Sequence, residues 1–356
     1  FTYLGAPIYK GLQRNVLFDG IVAKMRAHLG HWSTKLLSFG GKLVLARHVL
    51  ASLPMYLLQV VNPPKAVLTR LGVICNAFLW DRMGERRIHW SSWDKLCFPL
   101  KEGGLGFRSF KDMARAFAAK LWWRFRSGDS MWAEFMHTKY SSGSHPSEVS
   151  SVRPSATWRR LEAIRTLVEP NIGWCLGKGL VDFGKDRWVL HDPLEVVVGR
   201  AERPHFLVAE FITNEGWDEV RLAKWVPGFV IRAIKDIPFE LSQKDRLVWL
   251  PSPSGTFSVK SAWEMLRQRR HHSLVDSLLW PSVLPAKMSF FTWRLVRNFV
   301  PLDVVLRSRG LSFPSRCGCC YREEEALLHV FLSGPVASQV WRRISTLFGF
   351  QLRNCS

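Results

Sequence analysis

Acidic residues are scarce in this chain. Asp and Glu number 29 against 50 Lys and Arg, which leaves a net charge of +21 and a pI near 10.2. A basic partner is thereby disfavoured and a polyanion expected. Nucleic acid comes first, because Lys and Arg gain affinity by displacing counterions condensed on phosphates. No run of about eighteen apolar residues occurs, and neither a basic amphipathic anchor nor a lipidation motif is present, so no membrane partner is expected. No two aspartates are adjacent anywhere. The glycines of KEGGLGF (residues 101–107) lack a P-loop frame and read as a turn. No Ser-His-Asp or His-Glu-x-x-His arrangement supports hydrolase chemistry. Cysteine is sparse too: seven residues, four of them at 317, 319, 320 and 355. An odd count without a signal-peptide pattern argues against a secreted disulfide scaffold. The chain opens on FTYLGAP rather than on methionine and reads as an excerpt from a longer protein.

What is abundant is apolar and aromatic. Hydrophobic residues make up 47% of the 356 and tryptophan occurs 17 times, which excludes a disordered tail and provides for two or three packed domains. The charge is uneven. Residues 1–140 hold 21 Lys/Arg against 8 Asp/Glu, residues 141–250 hold 15 against 15, and residues 251–356 hold 14 against 6. Two basic regions about a neutral middle suggest two nucleic-acid-facing modules and a connector.

Helical spacing dominates. Leu17, Ile21, Met25, Leu29 and Trp32 mark one amphipathic face. A second helix is predicted over about 41–53, with Leu43, Leu50 and Leu53 inward, and a third after Pro63 and Pro64, which suit a first turn. Ser109 caps another. Met288, Phe291, Leu295 and Phe299 predict the inward side of a helix further on. The stretch 86–107 alternates loosely and ends at Gly103-Gly104, as a hairpin would. Residues 245–259 read as two short strands about Ser254-Gly255, and the polar run 141–151 has linker composition. The expected class is mainly α with short β-hairpins, α+β.

The order of these blocks resembles the C-terminal part of a plant LINE-type non-LTR retrotransposon reverse transcriptase polyprotein. The resemblance is carried by YLGAPIYKG (residues 3–11), WSTKLLSFGGKLVLARHVLASLPMYLL, FLWDRMGERRIHWSSWDKLCFPLKEGGLGFRSF and SGTFSVKSAWEML, and by the segment from SLLWPSVLPAKMSFFTWRLVRNFVP through CGCC to HVFLSGPVASQVW. It implies the end of a polymerase palm at 1–11 and a thumb-like basic helical domain with a hairpin at 12–140. A linker domain follows at 141–254, and a small helical, degenerate zinc-knuckle module of the reverse-transcriptase zinc-binding type at 255–356. The implied partners are template RNA, primer or target DNA and the upstream palm, and the implied location is the nucleus. The family's polymerase holds two metal ions on paired aspartates. Their absence leads to the expectation that this chain is no enzyme, although the resembled parent is an RNA-directed DNA polymerase.

Within that frame, Cys317 and Cys320 form a Cys-x-x-Cys pair, with His329 after eight intervening residues. The family's pattern ends in a further Cys, where this chain has Gly334. Zinc on Cys317, Cys320 and His329 would be a site damaged at one ligand, since structural zinc takes four. Cys319 is too close to Cys320 to complete it, and Cys355 could do so only by folding back. Glu323 to Glu325 read as a solvated helix start. Candidate phosphate contacts are Lys24, Arg26, Lys35, Lys42 and Arg47 in the thumb-like region, and Arg294, Arg297, Arg307 and Arg309 toward the C-terminus. The alternative is a decayed or domesticated retroelement product acting as a structural or protein-interaction module.

Overall fold

Helices carry most of the chain, and the sheets are three two-stranded antiparallel pairs, as the class expectation required. The computed structural model describes residues 2–3, 5–9, 14–31, 37–81, 87–141, 143–199, 205–213 and 215–350. It divides into two units: Phe1–Ala23, Ser52–Leu71 and Arg108–Gln268 form the first, and Lys24–Ala51, Gly72–Phe107 and Arg269–Ser356 the second. Each unit is thus assembled from segments that are not contiguous in sequence.

The first unit is organised on the helix Phe110–Ser127. Ser109 starts it by accepting the Asp112 N–H, and Gly128 ends it in the left-handed region at φ 69°. Its buried side packs against Ala156–Val168 and Val259–Leu266. Trp122 is fully buried, and its indole N–H donates to Glu169 at 2.6 Å. Arg126 is also buried, with Nε 3.1 Å from Glu169 and Nη2 paired to Asp186. Burial alone would raise the Asp186 carboxyl, but the Arg126 guanidinium and His145 hold it far below the usual carboxylate range. His145 comes from the polar run 141–151, and Nε2 of its ring lies 3.2 Å from Asp186. A second apolar cluster, centred on Phe183, Trp188, Phe211 and Ile234, fills the remainder of the unit.

In the second unit, Phe39–Leu45 runs into a wider π-helical turn, Ala46–Leu50, while Phe39 stacks on Phe290 of the helix Ala286–Val296. Trp293 from that helix donates its indole N–H to Gly103 O at 3.1 Å.

Three expectations of local structure need correction. Residues 87–107 form no hairpin: Trp93–Leu96 is a short helix, and Pro99 leads into a 3-10 turn. The Gly103-Gly104 turn is real, because Gly103 has φ 82° and a Cβ on Gly104 would stand 2.0 Å from the Phe98 carbonyl oxygen. Strand Arg246–Trp249 pairs not with 256–259 but with Ile172–Cys175, Gly173 opposite Val248. The helix Ala286–Val296 buries Ser289, Phe290 and Trp293, and leaves Met288 and Phe291 exposed. It is apolar on most sides, so spacing alone did not select the inward face. Asp19–His31 keeps the predicted stripe inward, with Met25 buried and Leu17, Ile21 and Leu29 part-buried, and Phe18 and Val22 widen that face; Trp32 lies outside the described residues.

One stretch, Phe39–Val60, is long and apolar enough to cross a bilayer by length and composition, which corrects the expectation of no such run. Lys42 and Arg47 interrupt it and hid it from a count of consecutive apolar residues. Leu43, Ala46, Leu50, Leu57 and Leu58 within it are buried, and 39% of its apolar window is buried.

Candidate metal centre

Residues 316–323 fold into a tight turn. Cys317 N–H donates to Glu323 O at 2.7 Å, Tyr321 N–H to Cys317 O at 2.9 Å, and Tyr321 itself sits at φ 59°. The turn aims the Cys317 and Cys320 sulfurs to one side. A π-helical turn, His329–Ser333, brings His329 against them. Cys317 Sγ, Cys320 Sγ and one imidazole nitrogen all lie within 4.8 Å of one another, and Cys320 Sγ is 3.2 Å from His329 Nε2. Cys317 and His329 are buried.

The electrostatics favour an ionised sulfur. Backbone N–H groups of Arg322 and Glu323 aim at Cys320, and His329 and Cys317 add to them, so its thiol is pulled down to about 7. On the far side of the imidazole, Nδ1 lies 2.8 Å from Glu323 Oε2. Glu323 therefore sits at the His329 ring, an association that sequence reasoning missed; the signal was an acid within a few residues of a Cys/His set.

Two thiols and an imidazole are the donors zinc prefers. Tetrahedral zinc at about 2.3 Å from sulfur and about 2.0 Å from nitrogen needs ligand atoms only about 3.5–3.8 Å apart. The cluster fits that scale. Position 334 faces it: a Cβ added to Gly334 would stand 3.2 Å from His329 Nε2, and 2.4 Å from the His329 carbonyl oxygen. The fold thus points the degenerate position at the donors without giving it a side chain. Cys319 is exposed and outside the cluster, with its backbone N–H on Cys317 Sγ at 3.4 Å. Cys355 lies outside the described residues. Held on Cys317, Cys320 and His329, zinc would tie the 316–323 turn to the 329–333 turn and supply folding free energy locally.

The basic residues predicted to meet phosphate separate into groups. Lys24 and Arg26 are exposed on Asp19–His31, and Lys35 lies outside the described residues. The other six each have an intramolecular partner. Lys42 is buried and donates to Asp81 O at 2.6 Å. Arg47 donates to Leu105 O, and burial pushes its guanidinium pKa down. Arg294 donates to Phe299 O at 2.8 Å, Arg297 pairs with Asp276, Arg307 lies 2.7 Å from Glu324, and Arg309 donates to Trp90 O at 3.2 Å. Lys42 and Arg294 line one cleft. The isolated aspartates serve structure: Asp245 accepts N–H groups of Gly177, Gly179 and Leu180, and Asp182 those of Gly184 and Lys185.

Residues 257–341, which contain the cluster, match the family described as zinc-binding in reverse transcriptase. Over 349 residues the chain is 31% identical to an Arabidopsis thaliana protein named "Putative ribonuclease H protein", covering 92% of this chain and 56% of that one. The chain therefore spans a little over half the length of the curated relative it matches. This similarity overturns the expectation, drawn from the missing aspartate pair, that the chain is no enzyme, because the relative is named for one. Together the two similarities support a retroelement-derived protein that carries a reverse-transcriptase-type zinc-binding region.

Proposed function

We propose that this chain is the thumb, linker and zinc-binding portion of a LINE-type non-LTR retroelement protein, and that it holds RNA or DNA through basic surfaces in the nucleus, beside the palm of a longer polyprotein. The observation that carries the reading is the convergence of Cys317, Cys320 and His329 inside the stretch that matches a reverse-transcriptase zinc-binding family. The net charge of +21 supplies the electrostatic term. In this reading Lys24 and Arg26 meet phosphate directly, while Arg297, Arg307 and Arg309 brace the C-terminal module. The name of the Arabidopsis relative extends the proposal to an enzymatic setting, in which the nucleic acid held here is the substrate of a ribonuclease H activity in the longer protein.

The test is a binding titration of labelled RNA and DNA over a series of KCl concentrations. Affinity should fall steeply with salt, with a slope of about 0.7–0.9 per phosphate neutralised. Absent binding, or binding indifferent to salt, would refute the reading. Gly334 favours a second reading, a decayed or domesticated product acting as an interaction module, because it removes the side chain from the position that faces the donors. Salt-insensitive behaviour together with no retained zinc would support that alternative.

A further inference from the structure

The second unit contains a cleft of about 830 Å³, and none of its lining residues belongs to the Cys-Cys-His cluster. Its size falls within the range of about 300–1,000 Å³ typical of ligand sites. Its aromatic lining is deep and layered. Trp80, Trp90 and Phe290 are buried, Phe39 stacks on Phe290, and Trp80 stands 6.2–6.3 Å from both of those rings. Two further apolar side chains in the lining, Ile88 and Phe291, are exposed.

Among the described residues, four cations share the same lining. Two are fixed by the protein: Lys42 by its bond to Asp81 O, and Arg294 by its bond to Phe299 O, with its guanidinium 5.7 Å over Trp90 and 5.9 Å over Phe290. Of the other two, Arg87 is exposed but already engaged within the chain, whereas Lys287 is exposed and has no hydrogen-bond or ion-pair partner among the described residues. Asp81 is the one carboxylate in the lining among the described residues, and its Oδ1 already takes the Arg87 backbone N–H at 3.1 Å and His89 Nε2 at 2.9 Å.

A ligand matched to this lining must offer flat apolar faces and closely spaced negative charge together. A lipid tail would leave the cations unused, and a duplex keeps its base faces stacked away. An unpaired nucleotide offers both, since every base has a π-face and every linkage a phosphate. We propose that the cleft takes an unpaired nucleotide of single-stranded RNA or DNA, its base against the ring faces and a flanking phosphate at Lys287. The assignment rests on the nucleic-acid reading above and deepens it by naming the strand state and the place. It also gives a use to the exposed side of Ala286–Val296, where Phe291 stands.

The experiment measures fluorescence anisotropy of a labelled twelve-nucleotide oligo(U), its oligo(dT) counterpart and a blunt duplex against the purified 356-residue chain. Phe291→Ala should weaken single-strand binding about 5- to 100-fold, the loss of one stacked base, and leave duplex binding within about twofold. Lys287→Ala should lower the salt slope by about 0.7. The control Lys260→Ala, an exposed lysine outside the cleft with the same charge change, should do neither. Both cleft variants concern exposed side chains, so a near-UV spectrum like wild type confirms that the fold is intact. If wild type binds but neither variant differs from the control, the cleft assignment falls while the nucleic-acid reading stands. If Phe291→Ala weakens the duplex as much as the single strand, base stacking is refuted. If poly-glutamate of equal charge displaces oligo(U) completely, the cleft reads charge alone and an acidic peptide becomes the better ligand. If wild type binds none of the probes, both readings fall together.

Discussion

Glu323 Oε2 lies 2.8 Å from Nδ1 of His329, and the opposite nitrogen of that ring lies 3.2 Å from Cys320 Sγ. With zinc on Nε2, Nδ1–H would donate to the carboxylate, the arrangement that orients a metal-bound imidazole. Glu323→Gln keeps the size of the side chain and the backbone carbonyl that receives Cys317 N–H, but removes the charge that orients the imidazole. Zinc affinity, followed by competition with a chromophoric chelator, should fall about 10- to 100-fold. Unchanged affinity would show that His329 is positioned by packing alone.

Gly334 offers the complementary experiment. Because a Cβ there would stand 3.2 Å from His329 Nε2, Gly334→Cys should bring a third thiolate to the donors and close the tetrahedron, raising zinc affinity about tenfold or more. The same Cβ meets the His329 carbonyl oxygen at 2.4 Å, so the 329–334 turn must shift to admit it. Gly334→Ala isolates that strain: it should lower thermal stability without tightening zinc. If the Cys variant behaves like the Ala variant, position 334 cannot reach the metal.

Much of this was legible in the sequence, for identifiable reasons. Capping chemistry is local, so Ser109 starts its helix where its side-chain oxygen can reach a free N–H group. The metal set was legible because Cys-x-x-Cys closes a turn by itself and only His329 had to be brought in from a distance. What failed was non-local. Arg246–Trp249 finds its partner about seventy residues upstream, and no turn signal reports that pairing. Ala286–Val296 is apolar on most of its circumference, so the buried face was decided by Phe39 and Gly103, residues distant in sequence. The basic residues illustrate a different limit: charge and spacing marked Arg297 and Arg307 as cations, but only the fold shows that Asp276 and Glu324 already pair with them.

Arg126, Glu169 and Asp186 make a buried ionic group whose stability should depend on pH. The folded pKa of Asp186 is depressed by Arg126 and His145 despite its burial. Its contribution is therefore fully present above the unfolded carboxylate pKa of about 3.9, and is lost as pH falls from there toward the folded value. Arg126→Met removes the guanidinium and leaves two carboxylates with reduced compensation, which should cost about 3–5 kcal/mol at pH 7 in urea denaturation. The gap between wild type and variant should narrow below about pH 4, as protonation removes the charges that Arg126 neutralises. A gap constant from pH 7 to pH 3 would mean that Arg126 contributes by packing rather than by charge.

Asp245 tests a cheaper kind of polar satisfaction. Its two oxygens take three backbone N–H groups, from Gly177 at 2.7 Å, Gly179 at 2.9 Å and Leu180 at 2.7 Å, and so close the loop that follows Ile172–Cys175. Gly179 has φ 74°, and a Cβ on it would stand 2.7 Å from the Ala209 backbone nitrogen, so the loop has little room to find other acceptors. Asp245→Ala strands the three donors and should destabilise the first unit by about 2–3 kcal/mol. Asp245→Asn keeps one carbonyl oxygen, which can still serve Gly177 and Gly179, and should recover roughly half of that loss. Amide hydrogen exchange is the discriminating measurement: protection at 177–180 should drop in both variants, and more in the Ala variant. Equal protection in wild type and Asp245→Ala would show that strand pairing, not the carboxylate, holds the loop.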